Sequence, residues 1–220
     1  MTGKKLDGIL INASNLHYGG AVQVATSFLN ELTYLDSKKY NLIVSREVHN
    51  ELIIMNSNLD AFHSYMVYDV SGVKALLDYK FTKIISNYKT VFTVFGPLYS
   101  WRKPKTSIVG FAQPWIIYEN NEIYESYRFF HKVVVRVKYS IQKYFYFRSD
   151  KLIVELDHVK EKLSKLSKKT ESIVINNCIS SIYSNSKQWL PINYVRTDQS
   201  VVLLGIVTRD YPHKNLNILP

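Results

Sequence analysis

Short apolar runs and stretches of helical period take turns along almost the whole chain, and this alternation constrains the fold more than any other feature of the sequence. The run Gly8-Ile9-Leu10-Ile11-Asn12-Ala13 closes into the polar, glycine-bearing stretch Ser14–Gly20, which reads as a buried strand and the loop that ends it. Val22, Ala25, Leu29 and Leu32 then recur at helical spacing, with Val24, Phe28 and Leu35 widening the stripe, so a helix packed against a sheet follows. Further strands are expected at Leu42–Val44 and Tyr65–Tyr68, with a short helix at Glu47–Met55 between them. A longer helix runs through Val73, Leu76, Leu77, Phe81, Ile84 and Ile85, and the strand Val91–Phe95 after it ends at Gly96-Pro97.

Beyond that point a hairpin-like polar loop, Tyr99–Thr106, leads to a strand at Ile108–Ala112. Residues 122–148 form a long helical stretch, Lys151–Glu155 a strand, and Val159, Leu163 and Leu166 one face of a short helix for which Asp157 is the expected cap. Ser172–Ile175 is strand again. Parallel neighbours need crossover connections, so this order predicts an α/β, Rossmann-like, open and mostly parallel sheet with helices on both faces. Residues 1–180 make up that domain. Residues 181–200, polar and without period, read as a linker or rim loop, and 201–220 as the start of a second, truncated domain, because the strand Val201–Gly205 and the helical beginning at Asn215 cannot bury their own apolar faces.

The formal net charge of +10 and pI near 9.4 call for an anionic partner, whether nucleic acid, an anionic lipid surface or a phosphate-bearing substrate. The residues carry no nucleic-acid-binding motif, and no nucleic-acid partner is expected. The single cysteine, Cys178, excludes an intramolecular disulfide and fits a reducing compartment. No apolar run approaches the ~18 residues of a membrane span, and the expected location is cytoplasmic.

In open α/β sheets ligands lie beyond the carboxyl ends of strands, where glycines let backbone N–H groups approach a phosphate at a helix N-terminus. Gly19 and Gly20 occupy such a place. They match neither the dinucleotide nor the P-loop fingerprint, and a simple tight turn accounts for them equally well. His17 lies in the same loop and is either within reach of an acceptor or incidental. Gln113, after the fifth strand, suits binding of a hydroxyl rather than acid–base work. Trp115 and Tyr118 offer flat faces for a sugar ring, with core packing as the alternative. Arg128, Lys132, Arg136, Lys138, Lys143 and Arg148 are interleaved with Phe, Tyr and Val and no acid, a composition that suits either a helix on an anionic membrane surface or a domain helix with one solvated face.

Four segments, ILINASNLHYGGAVQVATSFLNE from Ile9, FGPLYSWRKPKTSIVGFAQPWIIY from Phe95, DKLIVELDHVKEKLSKL from Asp150 and YPHKNL from Tyr211, resemble the retaining glycosyltransferases of family 4, especially those of bacterial O-antigen and capsule synthesis. The resemblance implies two Rossmann-like domains in the GT-B arrangement, an N-terminal one for the acceptor and a C-terminal one for a nucleotide sugar. It implies hexosyl transfer to a lipid-linked saccharide at the inner face of the cell membrane, with no metal and no cofactor beyond the nucleotide-sugar co-substrate. Gly19 and Gly20 match the family's glycine loop. Lys214 matches the lysine that meets the donor diphosphate, and Arg209 stands three positions beyond the usual arginine. Ala112-Gln113-Pro114-Trp115 replaces the histidine that many members carry. A non-catalytic acceptor-binding fragment is the alternative reading, and a basic nucleic-acid-binding protein a more distant one.

Overall fold

A computed structural model describes residues 6–118 and 127–184. The chain divides into two units, Met1–Ser180 and Ser181–Pro220. In the second unit the described part is the short helix Ser181–Ser184. The expected linker and second-domain start otherwise lie outside the described residues.

The first unit is built on a sheet of seven strands in the order β3-β2-β1-β4-β5-β6-β7. The strands are β1 (Leu6–Ala13), β2 (Tyr40–Val44), β3 (Ser64–Val67), β4 (Tyr88–Thr93), β5 (Thr106–Gly110), β6 (Lys151–Val154) and β7 (Glu171–Val174). Every pairing is parallel; Ile11, for example, lies opposite Leu42 of β2 and Phe92 of β4. The helices are α1 (Gly20–Thr33), α2 (Arg46–Ile54), α3 (Tyr79–Ser86), α4 (Phe129–Phe147) and α5 (Asp157–Leu166). This is the Rossmann-like open α/β fold that the alternation of elements predicts.

Successive side chains of a strand point to opposite faces, and the core divides accordingly. Leu10, Ile43, Val91, Val109 and Leu152 face one layer, with Phe81 and Ile85 of α3 and Phe145 and Tyr146 of α4. Ile11, Ala13, Leu42 and Val44 face the other, against Val22, Ala25, Leu29 and Leu32 of α1 and Val48 and Leu52 of α2. Leu29 is fully buried, which contributes about 1.5–3 kcal/mol relative to an exposed leucine. Asn12 is the polar exception within β1. Its amide donates to Thr93 Oγ1 and its Oδ1 accepts from the backbone and hydroxyl of Ser14, so its burial leaves both ends satisfied.

Three sequence expectations change. The helix expected over 73–85 is two pieces, a 3₁₀ segment Gly72–Leu77 and α3, because the Asp78 carboxylate caps Phe81 N–H and accepts the Tyr68 hydroxyl instead of continuing a helix. The stretch 99–106 is not a hairpin, since β4 and β5 run parallel, and its residues Tyr99 and Ser100 are buried beneath α4 rather than solvated. Asp157 is the first residue of α5, whose cap is Leu156, and makes no side-chain cap bond. The part of the expected long helix before residue 127 lies outside the described residues.

Candidate functional site

The strand order places a topological switch between β1 and β4, since the chain proceeds from β1 outward through β2 and β3 and then returns to the other side of β1. In folds of this kind the loops leaving the carboxyl ends of the strands on either side of such a switch ordinarily diverge to form the ligand crevice, so the β1 and β4 loops make the candidate site. The β1 loop is the glycine loop. Gly19 caps α1 at φ 63°, ψ −148°, a conformation open to glycine, and no side chain caps the helix. Val22 and Gln23 N–H groups turn back to Gly19 O, so the Gly20 and Ala21 N–H groups are the first-turn donors outside the helix's own bonding, at the positive end of its dipole.

Asn15 joins the two loops. Its Nδ2 donates to Phe95 O at 2.8 Å, while its Oδ1 is buried and, among the described residues, has no hydrogen-bond partner. The carbonyl of Phe95 fixes the amide orientation, so a bare acceptor is left at the switch point. Gly96, just beyond, has φ 87°, and a Cβ there would lie 2.6 Å from Asn15 Nδ2. The sequence marks Gly96 as the end of a strand and gives Asn15 no distinction; only the parallel pairing of β1 with β4 makes them neighbours.

His17 does not project freely from the glycine loop. Its Nδ1 is 2.8 Å from Glu47 Oε2 in the first turn of α2 and its Nε2 is 2.8 Å from Val70 O, beyond β3. Asp69 Oδ1 lies 4.0 Å from Nδ1 and accepts from Arg46 N–H. Burial favours the neutral ring, but the bonds to Val70 and Glu47, with the charges of Glu47 and Asp69, together raise the His17 pKa above its ordinary 6.5. Burial works against the Glu47 carboxylate, but the bond from His17, the bond to its own backbone N–H and the charges of His17 and Arg46 together outweigh it, so Glu47 titrates lower than usual. His17, Glu47 and Asp69 form a group whose ligand-type atoms fall within 4.8 Å of one another. Nδ1 and Oε2 are already within hydrogen-bond distance of each other, and the pair is an ion pair when His17 is protonated.

The remaining expected site residues follow β5. Gln113 Nε2 donates to Gln142 Oε1 of α4 at 3.1 Å, and Gln142 also bonds the buried Tyr99 hydroxyl. Trp115 stacks on Tyr139 of α4 with ring centroids 6.5 Å apart and planes at 13°. Tyr118 carries Lys162 Nζ 3.7 Å from its ring centroid. These side chains stand beyond the same carboxyl edge as the glycine loop, held there by contacts to helices on that layer. Arg209 and Lys214 lie outside the described residues.

Along α4, Phe129 and Phe130 are 73% and 82% exposed, and Val133, Val134 and Val137 are exposed as well. Arg128, Arg136 and Lys138 are exposed among them, and Lys132 and Lys143 are half-buried. Arg148 belongs elsewhere. Its guanidinium donates to the carbonyls of Ser100 and Trp101 and lies over the rings of Tyr144 and Phe145, which makes it a half-buried tether for the β4–β5 connection. Among the described residues no helix is long and apolar enough to cross a membrane.

The structure is a doubly wound, Rossmann-like α/β domain whose strand order switches between β1 and β4, where such folds ordinarily bind ligands. Comparison with protein-family models, with curated proteins and with solved structures found no match.

Proposed function

We propose that this chain is the acceptor-side part of a GT-B glycosyltransferase that moves a sugar from a nucleotide-sugar donor to a lipid-linked saccharide, as in surface polysaccharide assembly. The observation that carries the reading is the N-terminus of α1, entered through Gly19 and Gly20 with no side-chain cap, in the loop that follows β1 at the strand switch. An N-terminus of this kind attracts the negative charge of a diphosphate. Gln113 and Trp115, beyond β5, add a hydrogen-bonding amide and a flat ring of the kind that saccharides use.

In this reading the acceptor hydroxyl attacks the anomeric carbon while the nucleoside diphosphate departs, and fixed positive groups stabilise the charge that grows on the leaving oxygens. Lys214 is the proposed lysine at that diphosphate, and Arg209 the candidate for a second cation there. The basic and apolar surface of α4 supports a peripheral position on an anionic membrane, where a polyprenyl-linked acceptor would be met. A screen of nucleotide sugars against lipid-linked saccharide acceptors, following both donor hydrolysis and transfer, tests the reading. Donor-dependent glycosylation is the expected result. Oligonucleotide binding that weakens steeply with salt, together with no response to any nucleotide sugar, would replace it with nucleic-acid binding.

A further inference from the structure

The glycine loop is anchored by Val70 and α2. Ser14 O accepts from Val70 N–H at 3.0 Å, and Leu16 O accepts from the Ser45 hydroxyl. His17 completes the set from its own side chain, and its two bonds impose a condition that the others do not. Val70 O can only accept, and ionised Glu47 can only accept. Both ring nitrogens must therefore carry hydrogen. A neutral imidazole has one N–H, so it can keep either the bond to Val70 or the bond to Glu47, and loses the other.

We propose that His17 is a proton-operated clip: as the imidazolium it ties the glycine loop to α2 and to the segment after β3, and as the neutral ring it releases one of those ties and lets the loop at the crevice move. The groups facing it are Glu47 and Arg46 of α2, Asp69 and the Val70 carbonyl after β3, and the Tyr18 ring of its own loop, tilted at 59° with centroids 6.3 Å apart. Arg46 engages both oxygens of Asp69, the near one through its backbone N–H at 2.8 Å and the far one through its guanidinium at 3.6 Å, so Glu47 alone is hydrogen-bonded to Nδ1 and Asp69 acts on the ring only through its charge. The ring is 18% exposed, enough for proton exchange with water. Consequences for ligand affinity rest on the crevice being the ligand site proposed above; the clip itself does not, and it is tested in the absence of any ligand.

The test uses the full chain without ligand. Ring ¹⁵N shifts of His17 are followed by NMR from pH 5 to 9, together with hydrogen exchange of the amides of residues 14–20, corrected for intrinsic rates. A ring midpoint above 6.5 is expected, with exchange of the loop rising about tenfold or more through the same midpoint while α3 amides are unchanged. In Glu47→Gln the midpoint shifts downward, and in His17→Gln the step in loop exchange disappears. A midpoint at or below 6.5, or an exchange step that persists in His17→Gln, overturns the proposal. If His17→Gln does not fold, the Glu47→Gln shift decides, since an unmoved midpoint there excludes the clip.

Discussion

The amide of Asn15 sits where a side chain at residue 96 would have to begin: a Cβ on Gly96 would lie 2.6 Å from Asn15 Nδ2. The bond from Asn15 to Phe95 O that closes the floor of the crevice therefore exists because residue 96 is glycine. Gly96→Ala adds this crowding to a backbone φ of 87° that alanine resists, and should cost about 1–3 kcal/mol in urea denaturation. The far loop of the crevice should shift with it. Unchanged stability would mean that the loop relaxes without strain.

Gly20→Ala is the contrasting case. No atom lies within 4 Å of the Cβ it would carry, and it sits in the first turn of α1, so stability should stay level or rise by up to about 1 kcal/mol. If the first-turn N–H groups receive a diphosphate, the added methyl should still weaken binding of the active nucleoside diphosphate by about tenfold, the equivalent of one lost hydrogen bond. Calorimetric titration of the two proteins separates these effects. Equal affinity would move the anion away from this helix.

The His17 pairing also predicts how stability depends on pH. The folded-state pKa is raised, so its contribution is fully present below the ordinary value of 6.5 and is lost as pH rises through the folded value. The difference in unfolding free energy between wild type and His17→Gln should therefore be largest in mildly acid solution and shrink toward pH 9. A difference that grows with pH would contradict the ion-paired geometry.

Lys214→Ala should lower sugar transfer by about a hundredfold or more if its ammonium meets the departing diphosphate, the scale on which removing one stabilising group from such a site is felt. Turnover in the nucleotide-sugar screen measures this. An unaltered rate with intact folding would remove Lys214 from the chemistry.

Changing Lys132, Arg136, Lys138 and Lys143 together to glutamine should weaken binding to phosphatidylserine-containing vesicles by about 4 kcal/mol in all, or roughly a thousandfold. Arg148→Gln should act differently. It should leave vesicle binding nearly unchanged and lower stability by about 1–2 kcal/mol, because its guanidinium holds the carbonyls of Ser100 and Trp101. Vesicle sedimentation and thermal unfolding distinguish the two outcomes.

Local sequence determined the alternation of strands and helices here, because apolar runs such as Gly8–Ala13 and stripes such as Val22, Ala25, Leu29 and Leu32 carry their period in neighbouring residues. It also placed Gly19 and Gly20 in the loop between a strand and a helix. What it could not supply was any relation across the sheet. Whether β4 and β5 pair parallel, so that Tyr99 is buried under α4, depends on which strands become neighbours. Asp78 divided an apparently continuous helix because Tyr68, on another element, came within reach of its carboxylate. Arg148 looked like one more basic residue of α4 until the β4–β5 connection supplied two carbonyls. Asn15 met Phe95 across 80 residues, and His17 met Glu47 and Val70 across 30 and 53. Periodicity is a local property of the chain, whereas hydrogen-bond partners so distant in sequence become neighbours only when seven strands assemble in one order.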